Sequence, residues 1–235
     1  MVLSVNIKEA GYKKGTPVIN DIQFAIKRGE LVGLIGPNGA GKSSTIKSIL
    51  GIMEQMKGTV EVKEYAYIPE RPIMYEHMRL REHIDFLFST LEEEKQELNR
   101  VEELLALFNL THVVHQYPET FSKGMQQKVM LILAFLKQSP LYIIDEPFMG
   151  LDPKAMKKLL EQLEKEKRNG AGILMSTHAL DTAEKICDRF VLISGGEIIV
   201  QGTLNEIRKK SGIKEGSLLD CFDVLTERNT DAISY

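Results

Sequence analysis

Cysteine is scarce in this chain: Cys187 and Cys221 are the only two among 235 residues. They show no metal-type spacing, and so few thiols cannot make a disulfide scaffold. The expectation is a reduced, cytosolic protein with no bridge between them. An excess of charge of one sign is also missing. Thirty Lys and Arg against 33 Asp and Glu leave a net charge of −3, which gives no sign of a nucleic-acid surface. Long hydrophobic runs are absent too. The longest apolar stretch, residues 129–136, is far short of the ~20 residues that cross a bilayer, so the chain is not expected to span a membrane, although it can still sit on one. The N-terminus has no charged-then-apolar leader pattern, and no internal repeat, low-complexity tract or separate linker occurs. What is present is ordinary: 43% apolar and 27% charged residues, as in a globular protein. The length supports one substantial core, or a core plus a subdomain, and is too short for two full domains. A single domain over residues 1–235 is expected.

One stretch stands out from that background. Gly36-Pro37-Asn38-Gly39-Ala40-Gly41-Lys42-Ser43-Ser44 fits G-x-x-x-x-G-K-[ST], the phosphate-binding loop. Glycines, lacking Cβ, let successive backbone N–H groups turn inward around a phosphate chain. Lys42 can then reach the terminal phosphates, and the Ser43 hydroxyl can hold Mg²⁺. The context agrees. Residues 31–35 read as a buried strand, and Ile46, Ile49, Leu50 and Met53 follow at i, i+3, i+4 and i+7, one apolar face of a helix. Strand, glycine loop and helix in this order point a positive helix end at an anion.

The rest of the chain reads as follows. Residues 3–9 alternate apolar and polar, and 18–26 read as a second strand after the turn chemistry of 11–17, which predicts an antiparallel opening sheet. Strands are expected at 58–62 and 65–68, the latter stopped by Pro69 and Pro72. From 78 to 138 the period becomes helical. Ile84, Leu87, Phe88 and Leu91 share one face, and Leu98, Val101, Leu105 and Phe108 share the next. Glu92-Glu93-Glu94-Lys95 between them reads as a solvated face or loop. The block at about 72–138 is thus expected to be a helical subdomain inserted between strands of the core. Residues 141–144 return to strand. Asp152-Pro153 predicts an N-cap and first helical position, then a helix lined by Met156, Leu159, Leu160 and Leu163, with Glu161/Lys165 and Glu164/Arg168 paired outside. Asn169-Gly170 ends that helix. A strand at 173–175, a helix at 180–187 and a hairpin of 190–193 with 197–200 come next. Thr203 and Glu206 form a capping box, and the tail, 212–235, is weakly patterned and is given no role.

Two carboxylates follow the apolar strand at 141–144: Asp145 and Glu146. The carboxyl end of a buried strand is where α/β proteins hold ligands. Asp145 suits Mg²⁺, through water. Glu146 can accept a proton from, or polarise, an attacking water. Between the two motifs lies Phe121-Ser122-Lys123-Gly124-Met125-Gln126, and Ser176-Thr177-His178 follows them. Ser122 and the backbone near Gly124 would sit at a helix N-terminus, a second anion-binding end, with Met125, Val129, Ile132, Leu133 and Leu136 as that helix's buried face.

In the order and spacing of these motifs, from about residue 3 to residue 205, the chain resembles an ATP-binding cassette (ABC) ATPase. The resemblance implies an α/β fold: a P-loop NTPase (RecA-like) core with an N-terminal antiparallel β-subdomain and an inserted α-helical subdomain. It also implies ATP and Mg²⁺ as cofactors and an active site shared between two chains. In that arrangement Lys42, Ser43, Asp145, Glu146 and His178 act in cis, and Ser122 and Gly124 close over the γ-phosphate of the other chain's ATP. His178 resembles the family's switch histidine, Gly150-Leu151-Asp152 resembles its D-loop, and Tyr12 resembles the aromatic that stacks on adenine. Residues 36–44 hold the phosphates, and Ser43, Asp145 and Glu70 are the implied metal contacts.

Two departures stand out. Glu70 occupies the place of the usual glutamine, and its charge either strengthens the metal contact or raises a carboxylate pKa; the residues leave both open. Residues 121–126 resemble the family signature, written L-S-G-G-Q, with Phe121, Lys123 and Met125 as departures, and the form Ser-Lys-Gly-Met-Gln-Gln-Lys is more similar to ATPases of multi-helix exporters, the Ecs-type of Gram-positive bacteria above all. The resemblance implies a transporter ATPase, more an exporter than an importer, seated on the cytoplasmic face of the membrane beside a separate transmembrane permease. The alternative is an ABC ATPase that remodels a cytosolic partner, as in iron–sulfur cluster assembly. No Asn/Thr-Lys-x-Asp segment is present to support a GTPase.

Overall fold

The computed structural model describes residues 1–92 and 97–233, with side chains described through residue 227. The expectation for Glu93, Glu94 and Lys95 therefore lies outside the described residues. In chain order come β1 (Leu3–Gly11), β2 (Ile19–Ile26), β3 (Leu31–Ile35), α1 (Lys42–Ile49), β4 (Gln55–Val62) and β5 (Ala66–Ile68). Then follow α2 (Leu80–Ser89), α3 (Leu98–Leu107), α4 (Lys123–Leu136), β6 (Leu141–Asp145) and α5 (Pro153–Arg168). The last are β7 (Gly172–Thr177), α6 (Leu180–Ile186), β8 (Arg189–Ser194), β9 (Glu197–Gly202), α7 (Leu204–Ser211) and α8 (Leu218–Ile233).

These strands make two sheets. One is antiparallel, ordered β2-β1-β4; the other is six-stranded, ordered β5-β6-β7-β3-β8-β9, parallel except for the β8–β9 hairpin. The central strands β3, β6 and β7 are buried at every residue, as apolar runs in a parallel sheet covered on both faces must be. Successive side chains in a strand point to opposite faces. Leu141 and Ile143 therefore pack with α1 (Ile46, Ile49) and the inner face of the antiparallel sheet. Tyr142 and Ile144 pack on the other side, with Ile84, Leu105, Val129 and Leu159 of helices α2 to α5.

A buried polar knot ties those helices to the sheet. Glu166 of α5, 4% exposed, accepts from Arg100 Nη2 of α3 at 2.5 Å, Gln162 Nε2 at 2.6 Å and the Tyr142 hydroxyl at 3.2 Å. Arg100 also donates through Nε and Nη2 to the Phe135 carbonyl of α4, 3.2 Å each.

Several expectations need correction. Leu98 is 61% exposed, because it is the first residue of α3, where the helix has not yet reached the core. Met53 is buried although α1 ends at Ile49. On α5 the buried face is taken by Ala155, Leu159, Gln162, Leu163 and Glu166, while Met156 and Leu160 are only half-buried. Glu164 pairs with Arg168 as expected, at 3.2 Å, but Glu161 turns to Lys158 at 3.1 Å, and Lys165 faces Glu103 of α3 at 3.9 Å. The tail is not featureless. Its α8 buries Leu218, Cys221 and Phe222 against α6, α7 and the β8–β9 hairpin. The two cysteines are free thiols, and burial, with the Asp188 charge, pushes the Cys187 thiol well above its ordinary pKa. Among the described residues no helix is long and apolar enough to cross a membrane.

Candidate active site

Four adjacent parallel strands end on one edge of the large sheet. β5 leads to Glu70, β6 to Glu146, β7 to His178 and β3 to the glycine loop. The carboxyl edge of such a sheet is the usual ligand site of α/β proteins. A cavity of about 630 Å³ opens there. Pro37, Asn38, Gly39, Gly41, Lys42, Ser43 and Ser44 line it from the loop, and Glu70, Glu146 and His178 line it from the neighbouring strands. Gly36 and Ala40 lie behind this wall. Val18 and Met149, to which the sequence alone assigns no role, complete the lining.

The loop is held from outside. The Ala40 N–H donates to the Pro37 carbonyl at 3.1 Å, and the Ala40 carbonyl accepts from the Gly196 N–H in the β8–β9 turn at 3.0 Å. Gly41 has φ 106°, a conformation that side chains resist, and a Cβ there would stand 2.8 Å from an Ile19 methyl. Gly41 is also the N-cap of α1 and offers no side-chain cap. The first N–H groups of that helix, from Lys42 onward, have no intrahelical partner and point with the positive end of the dipole into the cavity. Those N–H donors and the Lys42 ammonium fit a chain of phosphates.

Lys42 is buried, and its Nζ donates to the carbonyls of Gly36 (2.7 Å) and Pro37 (3.2 Å). It also stands 3.5 Å from Glu146 Oε1. The same oxygen meets His178 Nδ1 at 3.0 Å. Among the described residues Glu146 Oε2 has no partner. Glu146 adopts φ 48°, a left-handed conformation that costs a non-glycine residue roughly 1–2 kcal/mol. It is kept there by its N–H, which donates to the Ser176 carbonyl (3.1 Å) and hydroxyl (3.2 Å).

Ser176 also braces the neighbouring carboxylate, its hydroxyl donating to Asp145 Oδ1 in a very short bond. Asp145 is buried and lies behind the cavity wall rather than on it. In Ser176-Thr177-His178 the sequence singles out His178 and leaves Ser176 without a role. The signal that finds it is the β6–β7 register, which places Asp145 opposite Ser176. Tyr67, on β5, feels the charges of the same carboxylates but does not line the cavity. Burial, then the charges of Asp145 and Glu70, push its phenol up to about 12. Among the described residues no group of three or more His, Cys, Asp or Glu could hold a metal ion by itself. The Ser43 hydroxyl, Glu70 and Asp145 are hard oxygen donors, suited to an ion that takes its remaining ligands from phosphate and water.

Tyr12 stands beyond the rim. Its hydroxyl lies 3.4 Å from Ser44 Oγ and accepts from Lys47 Nζ at 3.2 Å, which ties the ring to α1. The Ser44 contact lowers the phenol pKa most; burial opposes it, and the Lys47 ammonium lowers it further. Half the residue is exposed, and the Lys47 ammonium lies over the ring, 5.2 Å from its centre.

Ser122 and Gly124 do not line the cavity. Ser122 caps α4, its hydroxyl accepting from the Met125 N–H at 3.3 Å. Gly124 sits so close to the Gly150 carbonyl that a Cβ would collide with it. Asp152 caps α5 through the Ala155 N–H (2.8 Å) and accepts from Lys128 Nζ of α4 at 3.1 Å. The start of α4 and the 150–152 turn thus form one unit, separate from the phosphate loop of the same chain.

A glycine loop between strand and helix, carboxylates and a histidine on the adjacent strand ends, an added antiparallel sheet and helices set between β5 and β6 define a P-loop ATPase of the ATP-binding cassette type. Comparison with known proteins agrees. The family model described as "ABC transporter" matches residues 19–149, more than half the chain. The chain is 52% identical over 225 residues to the uncharacterized ABC transporter ATP-binding protein YthP of Bacillus subtilis, covering 94% of this chain and 95% of that one. It is 41% identical over 242 residues to the ABC-type transporter ATP-binding protein EcsA of the same organism, covering 97% and 98%. A solved structure of the ATP-binding subunit of an ABC transporter is 43% identical and superposes with a TM-score of 0.91, covering 96% of this chain and 100% of that one. The chain belongs to the ABC transporter family, as an ATP-binding subunit, and is an ATPase.

Proposed function

We propose that this chain is the ATP-hydrolysing subunit of an ABC exporter. It pairs with a second ABC ATPase chain around ATP on the cytoplasmic face of the membrane and so drives a separate transmembrane permease. We read residues 1–235 as one cassette, with residues 72–138 as its helical subdomain. The observation that carries the reading is the convergence of Lys42 and His178 on one oxygen of Glu146, at 3.5 and 3.0 Å, beside the glycine loop.

The roles follow from that geometry. Lys42 and the N–H groups that open α1 bind the phosphate oxygens. Ser43 and Glu70 would hold Mg²⁺ from the cavity wall, with Asp145, set behind it, as a further oxygen donor. When bound, Mg²⁺ would supply charge neutralisation at the phosphate oxygens. His178 anchors Glu146 through Oε1, which leaves Oε2 to take a proton from the attacking water. Tyr12 stacks on adenine. Ser122 and the N-terminus of α4 close over the γ-phosphate held by the second chain, a role supported by their place away from the chain's own loop.

The Ser-Lys-Gly-Met-Gln-Gln-Lys form of this helix start supports export. The permease contact is assigned to the segment between Glu70 and α2, where Ile73 and Tyr75 are exposed beside Phe86, with Tyr75 and Phe86 packed edge to face at 5.4 Å. Glu146→Gln tests the reading. The variant should bind ATP with Mg²⁺ as the parent does and lose single-turnover hydrolysis; turnover at the parent rate refutes it.

A further inference from the structure

α6 begins two residues after His178 and is seven residues long. A helix so short is not stable by itself in water, so its packing decides where it stands, and with it His178. Part of that packing comes from the large sheet and the main core, where α6 meets β3 and Ile186 is seated, and part comes from the C-terminal part of the chain. Ala183 is fully buried, and Leu180 and Cys187 pack with Leu218, Cys221 and Phe222 of α8. Among the described residues the polar contact on this side comes from Glu184. Glu184 Oε2 accepts the N–H of Leu218, the first residue of α8, at 2.6 Å, and Glu184 Oε1 faces Arg208 Nη2 of α7 at 3.9 Å. Arg208 in turn donates through Nε to the Gly216 carbonyl at 2.7 Å, just before Ser217, where reciprocal bonds with Asp220 start α8.

We propose that Glu184 is a positioning residue of the hydrolytic site, through which α8 fixes α6 and hence the contact of His178 with Glu146. The inference rests on the reading of Glu146 and His178 as the hydrolytic pair. Its chemistry is direct. The first N–H groups of a helix have no partner within it. A carboxylate is the strongest acceptor the chain can offer to one of them, and it gains further from the helix dipole. With Glu184 truncated, the Leu218 N–H and Arg208 both lose this partner, and α6 loses its only such link to α8 among the described residues. The glycine loop keeps its own hold, the Ala40–Gly196 bond, so nucleotide binding should survive a shift that moves His178.

Steady-state ATP hydrolysis by the full chain tests this, comparing the parent with Glu184→Ala and Glu184→Gln. Glu184→Ala should lower kcat by about fivefold or more with KM for ATP within about twofold, the signature of a lost transition-state interaction. Glu184→Gln still offers an oxygen to the Leu218 N–H and should recover most of kcat. A bracing role alone would lower thermal stability in both variants without splitting kcat from KM. The inference fails if Glu184→Ala keeps the parent kcat, if KM rises along with the loss, or if Glu184→Gln is as slow as Glu184→Ala. Should Glu184→Ala not fold, Glu184→Asp replaces it: an intermediate kcat at unchanged KM supports the inference, and the parent kcat overturns it. Glu146→Gln, assayed alongside, separates the two ideas. Hydrolysis by Glu146→Gln breaks the underlying reading, whereas an inactive Glu146→Gln beside a fully active Glu184→Ala breaks this inference alone.

Discussion

Arg100→Met should be among the most damaging substitutions away from the nucleotide site. Glu166 is 4% exposed and has three donors, at 2.5, 2.6 and 3.2 Å, of which only Arg100 is charged. Methionine fills much of the same space but leaves the carboxylate buried with two neutral donors, and the Phe135 carbonyl loses both guanidinium bonds. Breaking a buried pair by removing one partner costs about 3–5 kcal/mol, against a total stability of about 5–15 kcal/mol. For a chain of this length each kcal/mol moves Tm by roughly 2–4 °C, so a fall of about 6–20 °C is expected. The double variant Arg100→Met with Glu166→Met strands no charge and should recover most of that loss, because buried ion pairs stabilise little over apolar replacements of similar volume. Thermal and urea unfolding followed by circular dichroism measure both. A single-variant cost below about 1 kcal/mol, the range of a surface pair, or a double variant weaker than the single one, would refute the reasoning.

Two further outcomes follow from the site and the core. Tyr12→Ala should weaken ATP binding by the roughly 1–3 kcal/mol of a base–aromatic stack, about 5- to 150-fold in Kd, with kcat at saturation retained; calorimetric titration showing an unchanged Kd would remove Tyr12 from the site. Glu30 gives a pH dependence. Burial works against its charge, but the Arg189 hydrogen bond at 2.8 Å, the Lys27 N–H and the charges of both residues outweigh it and hold the carboxyl below its usual range. A depressed folded-state pKa contributes stability that is present above the unfolded-state value and is lost as pH falls through the folded one. Glu30→Gln should therefore lose less stability than the parent on acidification below about pH 5, and parallel curves would count against the pair.

The phosphate loop, the strand leading to Asp145-Glu146 and the capped helices are legible because each is set by neighbours in sequence: glycine placement, apolar runs and N-cap chemistry. What escapes depends on pairings that a linear reading does not contain. Ser176 matters because β7 lies beside β6 in a register that sets it opposite Asp145. Glu166 looks like one more acid on a charged helix, and only its meeting with Arg100, far away in sequence, makes it a core residue. The apolar residues of α8, Leu218, Cys221, Phe222 and Leu225, do stand at i, i+3, i+4 and i+7, but Asp220, Asp223 and exposed Leu219 dilute the pattern. Leu98 errs the other way: the spacing is right, but the helix begins at this residue, which is left exposed while Val101, one turn on, is buried.

The shared site itself can be tested by mixing two inactive chains. Lys42→Ala disables the phosphate loop, and Ser122→Arg disables the start of α4. In a mixed pair, one site unites the intact loop of the second variant with the intact α4 of the first, and the other site carries both lesions. If each ATP is held between two chains, an equimolar mixture should regain about a quarter of the parent ATPase rate, the share expected when pairs form at random. An inert mixture whose chains are shown to pair would contradict the account, because it would place Lys42 and Ser122 at the same ATP within one chain.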